Sequence, residues 1–261
     1  MFTKKELKEQ LKQMGILPTD TVVIHTSMKA IGQVEGGAEG VIDTFCEYLK
    51  DGLLLIPTHT WDQVLEANPY YDVSSTVPDI GLIPRLAAFR PDGIRSLHPT
   101  HSLWAKGKRA EEYVSGEENA TSPTTPGFCW DKLAEWNAKI LLIGVGHDKN
   151  TFIHSIDERV ALPDRMSDRS YPTYITDHNG KQLERKLYPQ YCSKTEDISW
   201  FYPNFDVPLT RTGAQSFGQF GTAQVRVVDA MRCREVISRI YARAKEDIFA
   251  QHCVIPEELY L

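Results

Sequence analysis

Two patterns of hydrophobic and polar positions alternate along the chain. Three short apolar runs, at 21–25, 53–61 and 139–146, are typical of strands buried on both faces. Between them lie segments with apolar residues every three or four positions, which predict amphipathic helices. Because these helical segments alternate with the strands, the pattern predicts a parallel or mixed sheet covered by helices.

Several predicted helices have recognisable ends. Thr3 followed by Glu6 is a capping box, which predicts a helix over residues 4–14. A second helix is expected along AEGVIDTFCEYLKDG, closed by Gly52. Further helices are predicted over 79–89 with Asp79 as the cap, over 128–136, from Asn150 or Thr151 onwards, and over 229–249 with Ile248 on its apolar face.

A different pattern occupies the segment 171–210. Strand-like YPTYIT leads into the turn DHNG, which predicts a β-hairpin over 171–190. We therefore expect one α/β domain over residues 1–261, with 171–210 as a β-rich insertion.

Composition narrows the class of protein. Acidic residues outnumber basic ones by 35 to 29, a net charge of −6, which argues against nucleic-acid binding. The longest apolar run, near Ile140 to Val145, is too short to cross a bilayer, and the charged N-terminal segment is typical of a helix rather than a signal peptide. Five widely spaced cysteines predict free thiols in a reducing compartment. We expect a cytoplasmic protein that binds no membrane.

The residues after the predicted strands carry the candidate chemistry, since ligand sites of open α/β sheets lie beyond the carboxyl ends of the strands. His154 lies one turn into the helix after the third strand, with Asp157 at i+3 and Glu158 at i+4. A carboxylate beside one imidazole nitrogen fixes the tautomer that a general base needs. The alternative is an ordinary surface histidine in a charged helix.

Two further features leave alternatives open. Gly36-Gly37 before a helix can expose amides to a phosphate, with Ser27 and Lys29 nearby, or can simply form a tight turn. Histidines can also hold a metal, but the spacing typical of metal ligands is absent. A metal-dependent hydrolase is therefore an alternative hypothesis, and its metal ligands would be His59, His98, His101 and His147.

Four blocks, HTSMKAIGQVEGGAEGVIDTF, LLLIPTHTW, RSLHPTHSLWAKGKRAEEY and ILLIGVGHDKNTFIHSIDE, resemble in order and spacing the aminoglycoside 3-N-acetyltransferases of the antibiotic N-acetyltransferase family. The stretch FGQFGTAQVRVVDA extends the resemblance over nearly the whole chain. It implies a single-domain α/β/α sandwich with a central mixed sheet and a β-hairpin elaboration. It also implies acetyl transfer from acetyl-CoA to a small, cationic amine, with no metal.

The resemblance also implies roles for individual residues. His154 would be the general base, with His101 as the base if His154 is not. Asp157 stands where family members usually carry a glutamate, and Glu158 is the alternative partner of His154. The implied coenzyme contacts are Ser27, Met28, Lys29, Ala30, Gly36, Gly37 and Ser102. The acidic candidates for the acceptor site, unless they are ordinary solvated loop charges, are Asp62, Glu66, Asp72, Asp79, Asp164 and Asp168. Trp61, Tyr70 and Tyr71 either form walls of this site or belong to the core.

The leading hypothesis, which the resemblance implies, is acetyl transfer to the 3-amino group of a 2-deoxystreptamine aminoglycoside. The transfer is expected to be direct, because neither a GxSxG motif nor a cysteine beside a histidine offers a covalent nucleophile. The alternatives are transfer to a different small amine, the metal-dependent hydrolase, and a coenzyme A-binding protein without turnover. The sequence leaves the oligomeric state open.

Overall fold

A seven-stranded mixed sheet forms the centre of the computed structural model, which describes residues 1–244 and 254–261. Its order is β4-β5-β2-β1-β6-β10-β9, in which β2, β1 and β6 are parallel and the outer strands antiparallel. The strands are β1 Thr21–Thr26, β2 Leu53–Pro57, β3 Tyr70–Asp72, β4 Ile94–Arg95, β5 Leu103–Gly107, β6 Lys139–Ile143, β7 Tyr171–Thr176, β8 Gln182–Leu187, β9 Gln215–Phe220 and β10 Ala223–Asp229.

Helices cover both faces of this sheet. The 3₁₀ helices are Glu117–Asn119, His147–Lys149, Ile198–Phe205 and Glu257–Leu259. The α-helices are α1 Lys4–Gln13, α2 Met28–Ile31, α3 Gly37–Tyr48, α4 Leu82–Ala87, α5 Ala110–Val114, α6 Cys129–Glu135, α7 Phe152–Arg159, α8 Asp206–Arg211 and α9 Ala230–Arg243.

The side-chain alternation of the central strands builds two separate cores. Val23 of β1 packs with Ile140 and Leu142 in a core that includes residues of α6, α7 and α9. Its neighbours Val22 and Ile24 belong to the other core, which includes residues of α1, α3 and α4. The three-layer α/β/α sandwich predicted from the sequence is therefore confirmed.

The predicted hairpin forms from β7 and β8, which pair antiparallel from Tyr171 to Leu187. β3 adds to this pair as a parallel third strand, and the small sheet covers an apolar cluster around Val64 and Tyr71. Residues 198–211 are helical, because apolar residues there pack against the main core rather than pairing as strands. The β-rich description thus holds for the first part of 171–210 only.

Several predicted element ends are wrong. α3 ends at Tyr48 with Leu49 as its C-cap, so Gly52 does not close the helix; glycine is required at position 52 because a Cβ there would lie 2.2 Å from the carbonyl oxygen of Asp20. α4 begins after Gly81, since the Asp79 carboxylate accepts from the Asp62 amide (2.8 Å) and does not cap the helix. β2 ends at Pro57. The predicted continuation of the last helix past residue 244, with Ile248, lies outside the described residues.

None of the helices in the described part of the chain is long and apolar enough to span a bilayer.

Candidate active site

A cavity of about 600 Å³ opens where the parallel strands end. Thr26 at the end of β1, Pro57 at the end of β2 and Val145 after β6 line it. Its side walls include Trp61 and Ile198. The structure therefore has a cavity at the carboxyl edge of the sheet, where the sequence predicts the site.

His154 lines this cavity and is linked to a buried carboxylate through a tyrosine. The hydroxyl of Tyr202 lies 2.7 Å from His154 Nδ1 and 2.7 Å from Asp157 Oδ2. The Tyr241 hydroxyl donates to the other oxygen, Asp157 Oδ1, at 2.5 Å, and Arg165 Nε lies 3.7 Å from Oδ2. The carboxylate that the sequence predicts beside His154 is thus Asp157, reached indirectly.

The single proton of the Tyr202 hydroxyl determines the tautomer of His154. An ionised carboxylate can only accept, and the surrounding hydroxyls and guanidinium of Asp157 favour that ionised form. Tyr202 therefore donates to Asp157 and accepts from Nδ1–H of His154. This leaves Nε2 of His154 with a lone pair and no hydrogen-bond partner among the described residues, which is the state of a general base.

Burial keeps His154 neutral. It lowers the pKa of His154 to about 4; the carboxylate of Asp197 raises it partly and the Arg165 guanidinium lowers it further. At pH 7 the imidazole is therefore unprotonated and ready to accept a proton without first losing one.

His101 lies in the wall of the same cavity, within an aromatic cluster. Its ring centroid lies 4.6 Å from that of His59 and 5.4 Å from that of Trp61. Its Nδ1 is 2.9 Å from Thr100 Oγ1. His59 is buried and both its ring nitrogens lack hydrogen-bond partners in the described part of the chain.

The other candidate partner of His154 lies elsewhere. The Glu158 carboxylate accepts from the hydroxyls of Ser122 and Thr124, the latter at 2.8 Å. Burial raises the pKa of Glu158, and those two hydroxyls lower it in part. Glu158 therefore fixes the turn around Ser122 and makes no hydrogen bond to His154 among the described contacts.

The residues predicted to contact the coenzyme fall into two groups. Ser27 caps α2, where its hydroxyl accepts a hydrogen bond from the Ala30 amide at 3.3 Å. Met28 and Lys29 lie in α2, and Gly36 and Gly37 lie at the start of α3. Ser102 is fully buried, where its hydroxyl bonds Thr58 and Arg95. None of these residues lines the cavity.

The acidic residues predicted after the second strand also lie outside the cavity lining. Asp62 and Glu66 are exposed, and the Asp72 carboxylate accepts from the Ser74 amide at 2.8 Å in a local turn. Trp61 does line the cavity, as predicted. The carboxylates that the structure places there are Asp148, Glu196 and Asp197, none of which the sequence singled out for this role.

Two of the four histidines of the hypothetical metal site use both ring nitrogens in hydrogen bonds. His98 Nε2 donates to the Ser122 carbonyl (2.9 Å) while its Nδ1 accepts from backbone amides. His147 contacts Gln215 and Asn150 through its two nitrogens. Across residues 1–244 and 254–261, no group of three or more potential ligands is arranged around a metal position.

The fold and the site therefore define an α/β/α sandwich whose sheet edge carries a cavity with a neutral histidine, a group that can accept a proton. A family model described as aminoglycoside 3-N-acetyltransferase matches residues 23–242, so the chain belongs to that family. The membership predicted from the four sequence blocks is confirmed. With it comes the enzyme class, an acyltransferase that takes its acetyl group from acetyl-CoA.

Individual relatives are similar over much of the chain. Aminoglycoside N(3)-acetyltransferase IX of Micromonospora chalcea is 28% identical over 235 residues, 82% of this chain and 79% of that protein. Aminoglycoside N(3)-acetyltransferase IV of Salmonella sp. is 30% identical over 164 residues, 62% of this chain and 61% of that protein, so this match spans less than two thirds of the relative.

Solved structures share the fold. AAC-VIa bound to sisomicin superposes with a TM-score of 0.76 at 23% identity, covering 94% of this chain and 99% of that one. AAC-IIIb in a binary complex with CoASH gives 0.77 at 19% identity, covering 90% and 94%. The mixed sheet with helices on both faces is thus the architecture of these acetyltransferases.

Proposed function

We propose that this protein moves an acetyl group from acetyl-CoA directly to the 3-amino group of a 2-deoxystreptamine aminoglycoside, with His154 as the general base. The observation that supports this most strongly is the chain His154–Tyr202–Asp157, which leaves Nε2 of a neutral imidazole in the cavity. The related enzymes named above carry the same activity in their names.

The chemistry requires this arrangement because an ammonium has no lone pair with which to attack a thioester. The acceptor therefore reacts as the neutral amine, after the ammonium has released one proton to solvent. His154 Nε2 takes one proton from the nitrogen as it bonds to the carbonyl carbon. Asp157, acting through Tyr202, stabilises the imidazolium that forms. When the carbon–sulfur bond breaks, the imidazolium returns a proton to the thiolate, giving the amide and coenzyme A.

The acceptor side of the proposal depends on the carboxylates in the cavity. Asp148, Glu196 and Asp197 line the same cavity as His154, and Asp148 also pairs with Lys149 at 3.2 Å. A polycationic amine would be held there by opposite charge in a partly desolvated site, where charge pairs are stronger than in water. The aromatic ring of Trp61 offers a flat wall for a sugar ring or an ammonium group.

Neutralising two of these carboxylates is expected to weaken acceptor binding. In Glu196→Gln/Asp197→Asn we expect the KM for a polycationic aminoglycoside to rise on the order of tenfold, because each pair contributes about 1 kcal/mol at moderate dielectric. Asparagine at 197 keeps the cap on the Ser199 amide. Steady-state kinetics at two salt concentrations measure the effect. Glu9→Gln/Glu111→Gln, at exposed positions of α1 and α5, also removes two charges and is the charge-matched control; an equal rise in KM there would contradict the assignment.

The implied coenzyme site can be tested at Gly37. Its backbone is left-handed (φ 60°), and an added Cβ meets no atom within 4 Å. Asparagine and aspartate have the same size, and both tolerate this conformation better than most residues. If the phosphates lie at the start of α3, Gly37→Asp should weaken coenzyme A binding about tenfold or more relative to Gly37→Asn, by charge repulsion. Calorimetric titration with coenzyme A gives the two Kd values; equal values would place the phosphates elsewhere.

Thiol release from acetyl-CoA tests the proposed function. The amine panel contains 2-deoxystreptamine aminoglycosides, simpler amino sugars and polyamines. The proposal predicts release with the aminoglycosides alone. Release only with another amine would support the alternative acceptor. Silence with every amine, while coenzyme A still binds, would contradict aminoglycoside acetylation and indicate a different acceptor or a protein without turnover.

A further inference from the structure

The ring of His101 is fixed at one nitrogen and open at the other. Nδ1 lies 2.9 Å from Thr100 Oγ1, and the rings of His59 and Trp61 pack against its faces at centroid distances of 4.6 and 5.4 Å. Nε2 has no hydrogen-bond partner in the described part of the chain, and the side chain lines the cavity that also contains His154. What His101 can do there depends on which nitrogen carries its proton.

The neighbouring histidine determines where that proton lies. His98 Nε2 is 2.9 Å from the Ser122 carbonyl, an acceptor, so this nitrogen is the protonated one. The lone pair on His98 Nδ1 already accepts the backbone amides of Thr100 and His101, at 3.1 and 2.9 Å. The Thr100 hydroxyl, 3.4 Å from that lone pair, therefore has its better acceptor in His101 Nδ1. If Thr100 donates to Nδ1, the proton of His101 is on Nε2.

We propose that His101 donates its Nε2–H to the carbonyl oxygen of the acetyl thioester and to the oxyanion of the tetrahedral intermediate. The inference rests on the proposed acetyl transfer and assigns the two cavity histidines opposite tautomers. His154 presents a lone pair that takes the amine proton, and His101 presents a proton that stabilises negative charge. Thr100 acts as a positioning residue.

The surroundings of His101 suit a neutral donor. Burial lowers the pKa of His101 well below its ordinary value, and the nearby His59, His98 and His154 lower it further. The ring therefore stays uncharged at pH 7 and keeps one proton to donate. A neutral imidazole with a depressed pKa acts as the electrophile in other enzymes. Burial also strengthens the bond to the oxyanion, because water does not compete for it.

Acetyl transfer from the thioester to the amine needs no co-reactant. The amine nitrogen bonds to the carbonyl carbon, the carbon–oxygen π pair moves to oxygen, and the hydrogen bond from His101 strengthens as that charge develops. When the intermediate collapses, the carbon–sulfur bond breaks and the pair leaves with the coenzyme thiolate. The proton from the amine travels through His154 to the thiolate, so His101 ends with the proton it began with.

Nitrogen-15 spectroscopy of histidine-labelled protein reads the tautomer without any substrate. Two-bond proton–nitrogen spectra distinguish a protonated ring nitrogen from an unprotonated one, and His101→Gln identifies the signals. We expect His101 protonated on Nε2, and mixed tautomers in Thr100→Val but not in Thr100→Ser. Protonation on Nδ1 in the wild type would overturn the assignment even if the protein transfers acetyl groups.

Kinetics test the role itself. His101→Phe should lower kcat by about 10²–10³-fold, the usual loss for one oxyanion donor, with the Kd of coenzyme A and the KM of the acceptor within about threefold of wild type. His101→Gln, whose amide can place an N–H near the Nε2 position, should recover part of that loss. A His101→Phe protein with kcat within threefold of wild type would overturn the proposal. If the wild type transfers no acetyl group, the proposed function fails, and this assignment fails with it.

Discussion

Replacing His154 with alanine is expected to lower kcat by about 10²–10⁴-fold while coenzyme A still binds, since that range is typical for loss of a general base. The imidazole is the group whose Nε2 lone pair is free in the cavity, and its pKa of about 4 keeps it neutral at working pH. Pre-steady-state and steady-state thiol release, together with a coenzyme A titration, separate the loss of chemistry from the loss of binding.

Two tyrosines provide a matched control for the relay. Both donate to Asp157, and the Tyr202 hydroxyl also lies 2.7 Å from His154 Nδ1. Tyr202→Phe should therefore lower kcat by about tenfold or more, because Nδ1 of His154 loses its acceptor and the tautomer is no longer fixed. Tyr241→Phe should have a clearly smaller effect. Equal losses in the two variants, or a His154→Ala protein with unchanged kcat, would contradict the relay.

Stability should fall steeply on mild acidification, because six of the seven described histidines are buried in neutral form. Burial lowers the pKa values of His25 to about 3 and of His98 and His154 to about 4. The three others with lowered pKa values are His59, His101 and His147. The folded state cannot bind these protons, whereas the unfolded chain binds them near pH 6.5.

The sign and size of the change in the free energy of unfolding follow from this difference in proton binding. The stability that each neutral histidine provides is fully present above pH 6.5 and is lost as the pH falls towards the folded pKa. Each of the three histidines whose folded pKa lies near 3 or 4 contributes roughly 1.5–2 kcal/mol between pH 7 and pH 5, so these three contribute on the order of 5 kcal/mol, and the other three act in the same direction. Glu117 and Glu158, whose pKa values are raised by burial, act in the opposite direction. We expect most of the free energy of unfolding to be lost by about pH 5.

Urea unfolding at several pH values between 7.5 and 5 measures the slope of the free energy of unfolding against pH. His98→Gln, which replaces one buried titrating group, should flatten it by about 1.4 kcal/mol per pH unit. A free energy of unfolding that stays constant from pH 7 to 5.5 would show that the histidines are solvated in the folded state.

The central sheet could be predicted from the sequence because its signals are local. Each buried strand is a continuous apolar run, and the hairpin turn DHNG carries its own turn residues. The ends of the elements were less predictable. Gly52 fits a helix end by residue type, but a close approach to the Asp20 carbonyl is what requires glycine there.

The active site was only partly predictable. His154 and Asp157 are three residues apart, so their shared helix face follows from the sequence. Tyr202 is 48 residues further along in a 3₁₀ segment, and no local pattern links it to that helix. The same holds for Glu196 and Asp197, which tertiary packing brings to the cavity.

Strand alternation explains why His101 lines the cavity and Ser102 does not. Backbone bonds from Thr58 to Ser102 and from Thr60 to Thr100 continue the β2–β5 ladder past the ends of both strands. Adjacent side chains in such a ladder point to opposite faces. His101 therefore faces the cavity, while Ser102 turns to Thr58 and Arg95. The sequence resemblance assigns both residues to the site, but the strand register turns only His101 towards the cavity.

The most direct test of the central claim is to identify the product. Purified protein is incubated with carbon-13-labelled acetyl-CoA and a 2-deoxystreptamine aminoglycoside, and the acetylated nitrogen is located by NMR. Direct transfer predicts one acetyl group on the 3-amino nitrogen, one thiol released per acetyl transferred, and no labelled protein in the mass spectrum. An unmodified aminoglycoside would contradict the proposed acceptor, and an acetylated protein intermediate would contradict direct transfer through His154.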